Sequence, residues 1–268
     1  MIFPTLFWVL ILVSALLCSI GFYRFVWFMS VGYGLAVAGE GVALLIASLV
    51  KGQIGIGYLV LCILIIVYGC RLGLFLLIRE TKSAAYRKTL DAQTGTKPVP
   101  IFVKIFMWVF MAILYACEVA PAMYRLTNEA VTLSGDVLTW VGAVIMLAGI
   151  LLEAIADRQK SAAKKINPNM TATQGLYKLC RCPNYFGEIL FWTGVLVSGL
   201  NILQGGQWVV ALFGYICIVC VMVSGAMRLE KRQNRNYGHL KEYRDYANST
   251  PILIPFIPLY HLVKEDTK

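Results

Sequence analysis

Four sets of polar side chains interrupt otherwise apolar runs of this chain, and their spacing is that of groups that act together. Glu40 stands near the middle of the run Phe25–Val50. Tyr68 and Arg71, in the run Ile54–Ile78, are one helical turn apart and share a face. Glu153 and Asp157 share a face through i,i+4 spacing where the run Val137–Ile155 ends. Asn184 and Glu188 repeat that spacing where the run Tyr185–Leu203 opens. Ionisable groups inside a bilayer are costly, so they pair with one another or line a polar cavity. Acids and amides bind ribose hydroxyls and carboxamides, whereas lysine and arginine bind phosphates. Arg71, Glu153, Asp157, Asn184 and Glu188, with the nearby cations Lys164 and Arg181, therefore suit a polar, anionic cofactor. A salt-bridge lattice joining Arg71, Arg158 or Arg181 to the acids is the structural alternative. Glu40 has no partner close in sequence: it is either a neutral, hydrogen-bonded structural residue or part of a reactive site. Glu118 is a further acid, toward the far end of the fourth apolar run.

The elements that must position these groups are membrane helices. Of the 268 residues, 59% are apolar and 14% charged, outside the range of soluble domains. Apolar runs occur at Phe3–Ile20, Phe25–Val50, Ile54–Ile78, Ile101–Ala120, Val137–Ile155, Tyr185–Leu203 and Trp208–Met227. A hydrocarbon core ~30 Å thick needs about 20 such residues. The chain is thus predicted to be all-α, a polytopic helix bundle of about seven transmembrane helices forming one domain over residues 1–268. No basic segment precedes the first run and no small-residue cleavage site closes it, so it is read as a span and not a cleaved signal. Gly32, Gly34, Gly39 and Gly41 in the second run, and Gly69 and Gly73 in the third, predict a tilt, a break or a close helix approach.

Basic residues set the expected orientation. One set of connections carries Arg24, then Arg79, Lys82, Arg87, Lys88, Lys97 and Lys104, then Arg158, Lys160, Lys164, Lys165, Lys178 and Arg181, then the tail from Arg228 to Lys268. The opposite set carries Lys51 and Arg125 beside Glu129 and Asp136. The N-terminus is expected outside, and the basic loops and tail in the cytosol, where the acid and amide pairs also fall. The net charge of +10 is then an orientation signal, with no nucleic-acid partner implied. The eight cysteines mostly lie in apolar runs and act as small buried hydrophobes, and Cys180-Arg-Cys182 is too tight for a usual zinc pair, so no metal is expected. Neither a G-x-G-x-x-G nor a G-x-x-x-x-G-K-[ST] nor an H-E-x-x-H motif is present, and both histidines, His239 and His261, are in the tail.

Three stretches together resemble the C-terminal half of steroid 5α-reductases, most closely their bacterial membrane relatives. They are Leu151-Leu-Glu-Ala-Ile-Ala-Asp157-Arg-Gln-Lys160, then Gly175-Leu-Tyr177, then Arg181-Cys-Pro-Asn184-Tyr-Phe-Gly-Glu188. Delta-14 sterol reductases share a looser form of the last. The tail Tyr243-Arg-Asp-Tyr246 with Ile254-Pro255-Phe256 is similar to the family's ending, so the reductase-like part covers about residues 142–258. Tyr68-x-x-Arg71 resembles a tyrosine and arginine on the family's third span. The resemblance implies a seven-helix, NADPH-dependent reductase of the C=C bond of a lipophilic, steroid-like enone, in a bacterial inner membrane or, in a eukaryote, the endoplasmic reticulum. By position it assigns Asp157, Asn184 and Glu188 to the cofactor, with Glu153 where mammalian enzymes have asparagine. Arg71, Lys164, Arg181 and Tyr246 complete the expected cofactor set, and Tyr68 and Glu40 are expected at the substrate carbonyl. Thr250 replaces a basic residue of the family, and Cys182 replaces a histidine.

The chemistry fits these residue types. Hydride addition to an enone builds negative charge on the carbonyl oxygen, which a phenol such as Tyr68 or a protonated Glu40 stabilises in a dry site. Two other readings compete. An isoprenylcysteine-type methyltransferase using S-adenosylmethionine shares Arg-x-Pro-x-Tyr, and Glu230-Lys-Arg with Tyr243 agrees with it, but Glu153-x-x-x-Asp157 and Tyr68-x-x-Arg71 do not. A small transporter or scaffold is disfavoured by the lack of internal repeats.

Overall fold

The computed structural model describes residues 1–82, 99–131 and 136–263; Arg87, Lys88, Lys97 and Lys268, which enter the orientation argument, lie outside the described residues. Those residues form nine α-helices and no strand: α1 (Thr5–Cys18), α2 (Val31–Val50), α3 (Ile56–Lys82), α4 (Ile101–Glu118), α5 (Ala120–Thr127), α6 (Val137–Ile166), α7 (Pro183–Gly199), α8 (Gln207–Tyr237) and α9 (Lys241–Ser249). Among the described residues, six helices are long and apolar enough to cross a membrane. The shorter α7, at 17 residues, is the expected sixth span, so the protein is an all-helical bundle of about seven spans, as predicted.

The sequence places the helix ends less well than the spans. With 30 and 31 residues, α6 and α8 are each about 45 Å long and outrun the hydrocarbon core. Their polar ends, which carry Asp157, Lys164 and Glu230, continue the helix beyond the apolar run. The second run, in contrast, is broken. A 3-10 turn at Phe25–Phe28 precedes α2, which begins only at Val31. Breaking a helix frees backbone groups that lipid cannot satisfy. Here the Tyr115 hydroxyl, from α4, donates to the Phe28 carbonyl at 2.6 Å.

The chain divides into two compact units, Met1–Ala143 with Val195–Tyr215, and Val144–Gly194 with Ile216–Lys268. In the first, α2 packs on α1 and α3, and α1 also packs on α4. The contact of α2 with α3 is backbone on backbone. A Cβ on Gly34 would come 2.4 Å from the Gly73 nitrogen, and one on Gly69 would come 2.4 Å from the Ala38 nitrogen. Gly34-x-x-x-Ala38 and Gly69-x-x-x-Gly73 are thus paired small-residue motifs of the kind that hold membrane helices together by close packing. In the second unit α6 meets α7 in the same way, since a Cβ on Gly149 would lie 2.6 Å from the Gly187 carbonyl oxygen.

Candidate active site

In the first unit the close helix contact fixes the depth of two candidate residues. Gly41 of α2 faces Ile65 and Ile66 of α3. Tyr68 lies two residues further along, about 3 Å of rise, so Glu40 and Tyr68 share nearly one depth. Both are fully buried, at 0% exposure. The Ser14 hydroxyl, from α1, donates to Glu40 Oε1 at 2.5 Å, while Oε2 has no hydrogen-bond partner among the described residues. The Tyr68 hydroxyl lies 3.3 Å from that of Tyr33 on α2, and either can be the donor. Arg71 is half-buried, with its guanidinium 6.0 Å from the Phe75 ring centre; Arg79 approaches the same ring at 5.4 Å. Both distances suit a cation held by an aromatic face.

In the second unit the acid and amide pairs come together as their spacing suggests. A Cβ on Gly187 would lie 2.9 Å from the Glu153 nitrogen. Stepping one turn down α6 and one turn back along α7 brings Asp157 level with Asn184. Glu153, Asp157 and Glu188 are buried, and Asn184 is half-buried with its Oδ1 enclosed and unpartnered among the described residues. Burial pushes the Tyr177 phenol up, and the nearby Asp157 charge adds to it. Tyr177 also accepts, at its carbonyl oxygen, a 2.7 Å bond from Tyr246, whose phenol burial raises against the pull of Arg181. Asp157, Tyr177, Tyr246 and Arg181 thus form one neighbourhood.

The cations differ in how far the protein uses them. Lys164 Nζ donates to the Tyr237 hydroxyl at 2.6 Å and to the Pro168 carbonyl at 3.1 Å. Arg181 is buried, and its Nη2 bonds Glu230 Oε1 at 2.7 Å and the Tyr260 carbonyl. Its Nε and Nη1 are enclosed with no well-aligned hydrogen bond among the described residues, and the Tyr243 phenol lies beside the guanidinium. Glu230 in turn accepts from His261 Nδ1 at 2.9 Å and from the backbone nitrogens of Leu262 and Val263 at 2.9 and 3.1 Å. The ion pair of Arg181 is therefore with the eighth helix, a partner that the sequence-based lattice of Arg71, Arg158 or Arg181 with the acids Glu153, Asp157 and Glu188 did not include. Arg158 itself is exposed.

Sequence reasoning also missed Ser14, Tyr33 and Glu80. Glu80 is fully buried and takes a hydrogen bond from the Trp27 indole, pinning the 3-10 turn. Ser14 and Tyr33 had one available signal, that of polar atoms inside apolar runs, but hydroxyls are common in membrane helices and this mark is weak.

Comparison with known proteins gives distant relatives. The chain is 25% identical over 171 residues to 3-oxo-5-alpha-steroid 4-dehydrogenase 1 of Bos taurus, covering 61% of this chain and 59% of that protein. It is 28% identical over 119 residues to steroid 5-alpha-reductase DET2 of Gossypium hirsutum, covering 43% of this chain and 41% of the relative. Against DET2 of Arabidopsis thaliana the identity is 25% over 119 residues, with 44% and 41% covered. The chain therefore spans less than two thirds of the length of the relatives it matches. No solved structure matches it. These similarities bear out the resemblance carried by the C-terminal motifs. A family model described as protein of unknown function (DUF1295) matches residues 25–250, a span that includes every candidate residue from Glu40 to Tyr246, and the chain belongs to that family.

Proposed function

We propose that this protein is a membrane reductase that uses NADPH to saturate the C=C bond of a lipophilic enone such as a 3-oxo-Δ4 steroid. The observation that carries the reading is the pair of fully buried hydrogen-bonding groups, Glu40 and Tyr68, at one depth of the α2–α3 pair. Similarity to named 5-alpha-reductases supports it. NADPH, when bound, supplies hydride to the β-carbon and leaves as NADP⁺. The C=C π pair shifts to join the α-carbon to the carbonyl carbon and the carbonyl π pair moves onto oxygen, giving an enolate that Tyr68 stabilises by donating its phenol proton in a hydrogen bond. Glu40 assists as a second donor or by orienting the carbonyl, and the enolate then takes a proton from water at the α-carbon. The apolar surroundings strengthen the hydrogen bond to the enolate oxygen and admit a flat lipophilic substrate from the bilayer.

The residues of the second unit fit the cofactor. Asn184 Oδ1 is a buried acceptor without a protein partner among the described residues, and Arg181 Nε and Nη1 are buried donors with no well-aligned bond there, beside the Tyr243 phenol. A carboxamide or ribose hydroxyl would satisfy the first, and a phosphate the other two. Asp157, Glu153 and Glu188 supply further acceptors for hydroxyls, and Tyr246 and Lys164 buttress the same neighbourhood.

The test uses detergent-solubilised protein, NADPH and a panel of enones. NADPH oxidation should be stoichiometric with C=C saturation. Tyr68→Phe keeps the ring and removes the donor, which should lower kcat on the order of 100- to 1000-fold while leaving NADPH binding unchanged. A Tyr68→Phe enzyme with the normal rate would overturn the assignment, and co-purifying S-adenosylhomocysteine would favour methyl transfer. We also propose the orientation that the basic residues imply, with the tail in the cytosol. A cysteine at Gln204, exposed beside Gly205, should be labelled from outside the cell; protection there combined with an externally labelled tail would reverse the topology.

A further inference from the structure

We infer that Tyr33 is a positioning residue that aims and strengthens the Tyr68 hydrogen bond to the substrate oxygen; the inference rests on the enone reduction proposed above. The two hydroxyls are 3.3 Å apart, and both rings are buried. The pair is set by the backbone. Tyr33 precedes Gly34 and Tyr68 precedes Gly69, and these glycines touch: a Cβ on Gly69 would lie 2.6 Å from the Gly34 carbonyl oxygen. Neither tyrosine can shift along its helix without breaking that contact. The Tyr33 ring is held a second time, against the Tyr115 ring at 5.0 Å, and the Tyr115 hydroxyl is anchored on the Phe28 carbonyl. The Tyr33 ring thus has little freedom.

Proton counting gives the bond its direction during catalysis. A tyrosine hydroxyl has one proton to donate and lone pairs to accept with. When Tyr68 aims its proton at the substrate carbonyl, it serves Tyr33 only as an acceptor, so Tyr33 donates. The chain then runs from the Tyr33 hydroxyl to the Tyr68 oxygen and from the Tyr68 hydroxyl to the carbonyl oxygen. As hydride arrives and charge builds on that oxygen, Tyr68 carries part of it and the Tyr33 bond tightens. Chained hydrogen bonds polarise one another in this way. Because the gain is larger in the transition state than in the ground state, it is expressed in kcat and not in substrate binding. Tyr33 does not touch the substrate in this scheme.

A double-mutant cycle on the full-length solubilised enzyme tests the inference. Tyr33→Phe retains the ring on Tyr115 and should lower kcat about tenfold, the worth of one polarising hydrogen bond, with KM and NADPH affinity within about twofold. In a Tyr68→Phe background the same change should cost less than about twofold, because the residue it acts through is gone. An equal loss in both backgrounds would make Tyr33 a packing residue, overturning the inference while the proposed reaction stands. No loss from Tyr68→Phe alone would instead remove the proposed reaction and this inference with it. Should Tyr33→Phe fail to fold, 3-fluorotyrosine at position 33 carries the test, being nearly the same shape and a stronger donor. It should raise kcat by about twofold through the same polarisation with KM unchanged, and an unchanged kcat would count against the role.

Discussion

Two buried arginines, one in each unit, show how a structural cation differs from an available one. Arg125 of the first unit is saturated. Its Nε and Nη2 bond the Ser198 carbonyl, Nη1 bonds the Ala130 carbonyl and Asp136, and Nη2 also bonds Asn201. The surrounding amides are equally committed, with Asn128 and Gln207 bonded reciprocally and Gln207 reaching the Met1 carbonyl. Arg181 of the second unit makes its bonds to Glu230 and the Tyr260 carbonyl through Nη2, and its other two nitrogens are enclosed with no well-aligned hydrogen bond among the described residues, although the Tyr243 phenol lies beside the guanidinium. Both are desolvated, so burial does not separate them. A guanidinium with every donor used has been spent on the fold; one with donors left over costs stability unless something else arrives to use them.

The sharpest way to break this comparison is to remove each arginine in turn. Arg125→Ala strands the Asp136 carboxylate and several carbonyls, and breaking such a buried pair should cost about 3–5 kcal/mol of stability, read as a lowered unfolding temperature in detergent. If NADPH is the cofactor, as proposed, the stabilisation it adds should persist in any protein that remains folded. Arg181→Met should have the opposite profile. Glu230 keeps His261 and two backbone donors, so folding is less affected, but NADPH affinity should fall about tenfold or more, at roughly 1.4 kcal/mol per decade. Asn184→Ala removes a neutral acceptor and should act in the same sense by a smaller factor. Intact NADPH stabilisation in Arg181→Met and Asn184→Ala would show that their unsatisfied atoms are not cofactor ligands.

The smallest effect concerns pH. Burial pushes the Asp136 carboxyl up, but the Thr139 hydroxyl and Arg125 prevail and hold it below its ordinary value. A carboxyl depressed by folding adds stability above its unfolded value, and that contribution is lost as pH falls through the folded one. The unfolding temperature should therefore decline on the acid side, and Asp136→Asn should flatten that decline. An unchanged acid limb would mean that other carboxylates carry it.

The candidate residues separate along the same line of reasoning. The shared faces of Glu153 with Asp157 and of Asn184 with Glu188 were legible because i,i+4 spacing within a helix is local, whereas the contact at Gly149 and Gly187 that brings the two helices together is seen only in the structure. Tyr68 with Tyr33, Glu40 with Ser14, and Arg181 with Glu230 were not, since their partners lie 35, 26 and 49 positions away. No periodicity within either run specifies which face of one helix meets which face of another. The break before α2 was half-legible: glycines signalled an irregular second run, but its position depends on Trp27 reaching Glu80 and Tyr115 reaching Phe28.

What the sequence determined by itself is what lipid demands of each segment alone. Apolar runs of sufficient length must be helices, because only a helix satisfies its own backbone in hydrocarbon. Helical periodicity then aligned the acid and amide pairs. What only the tertiary structure decided is which polar atoms are satisfied and which are left over. That depends on side chains from distant segments meeting within hydrogen-bond reach. Helix packing, here governed by glycines that let backbones touch, sets those meetings to a fraction of a turn, a precision that residue type and spacing do not encode.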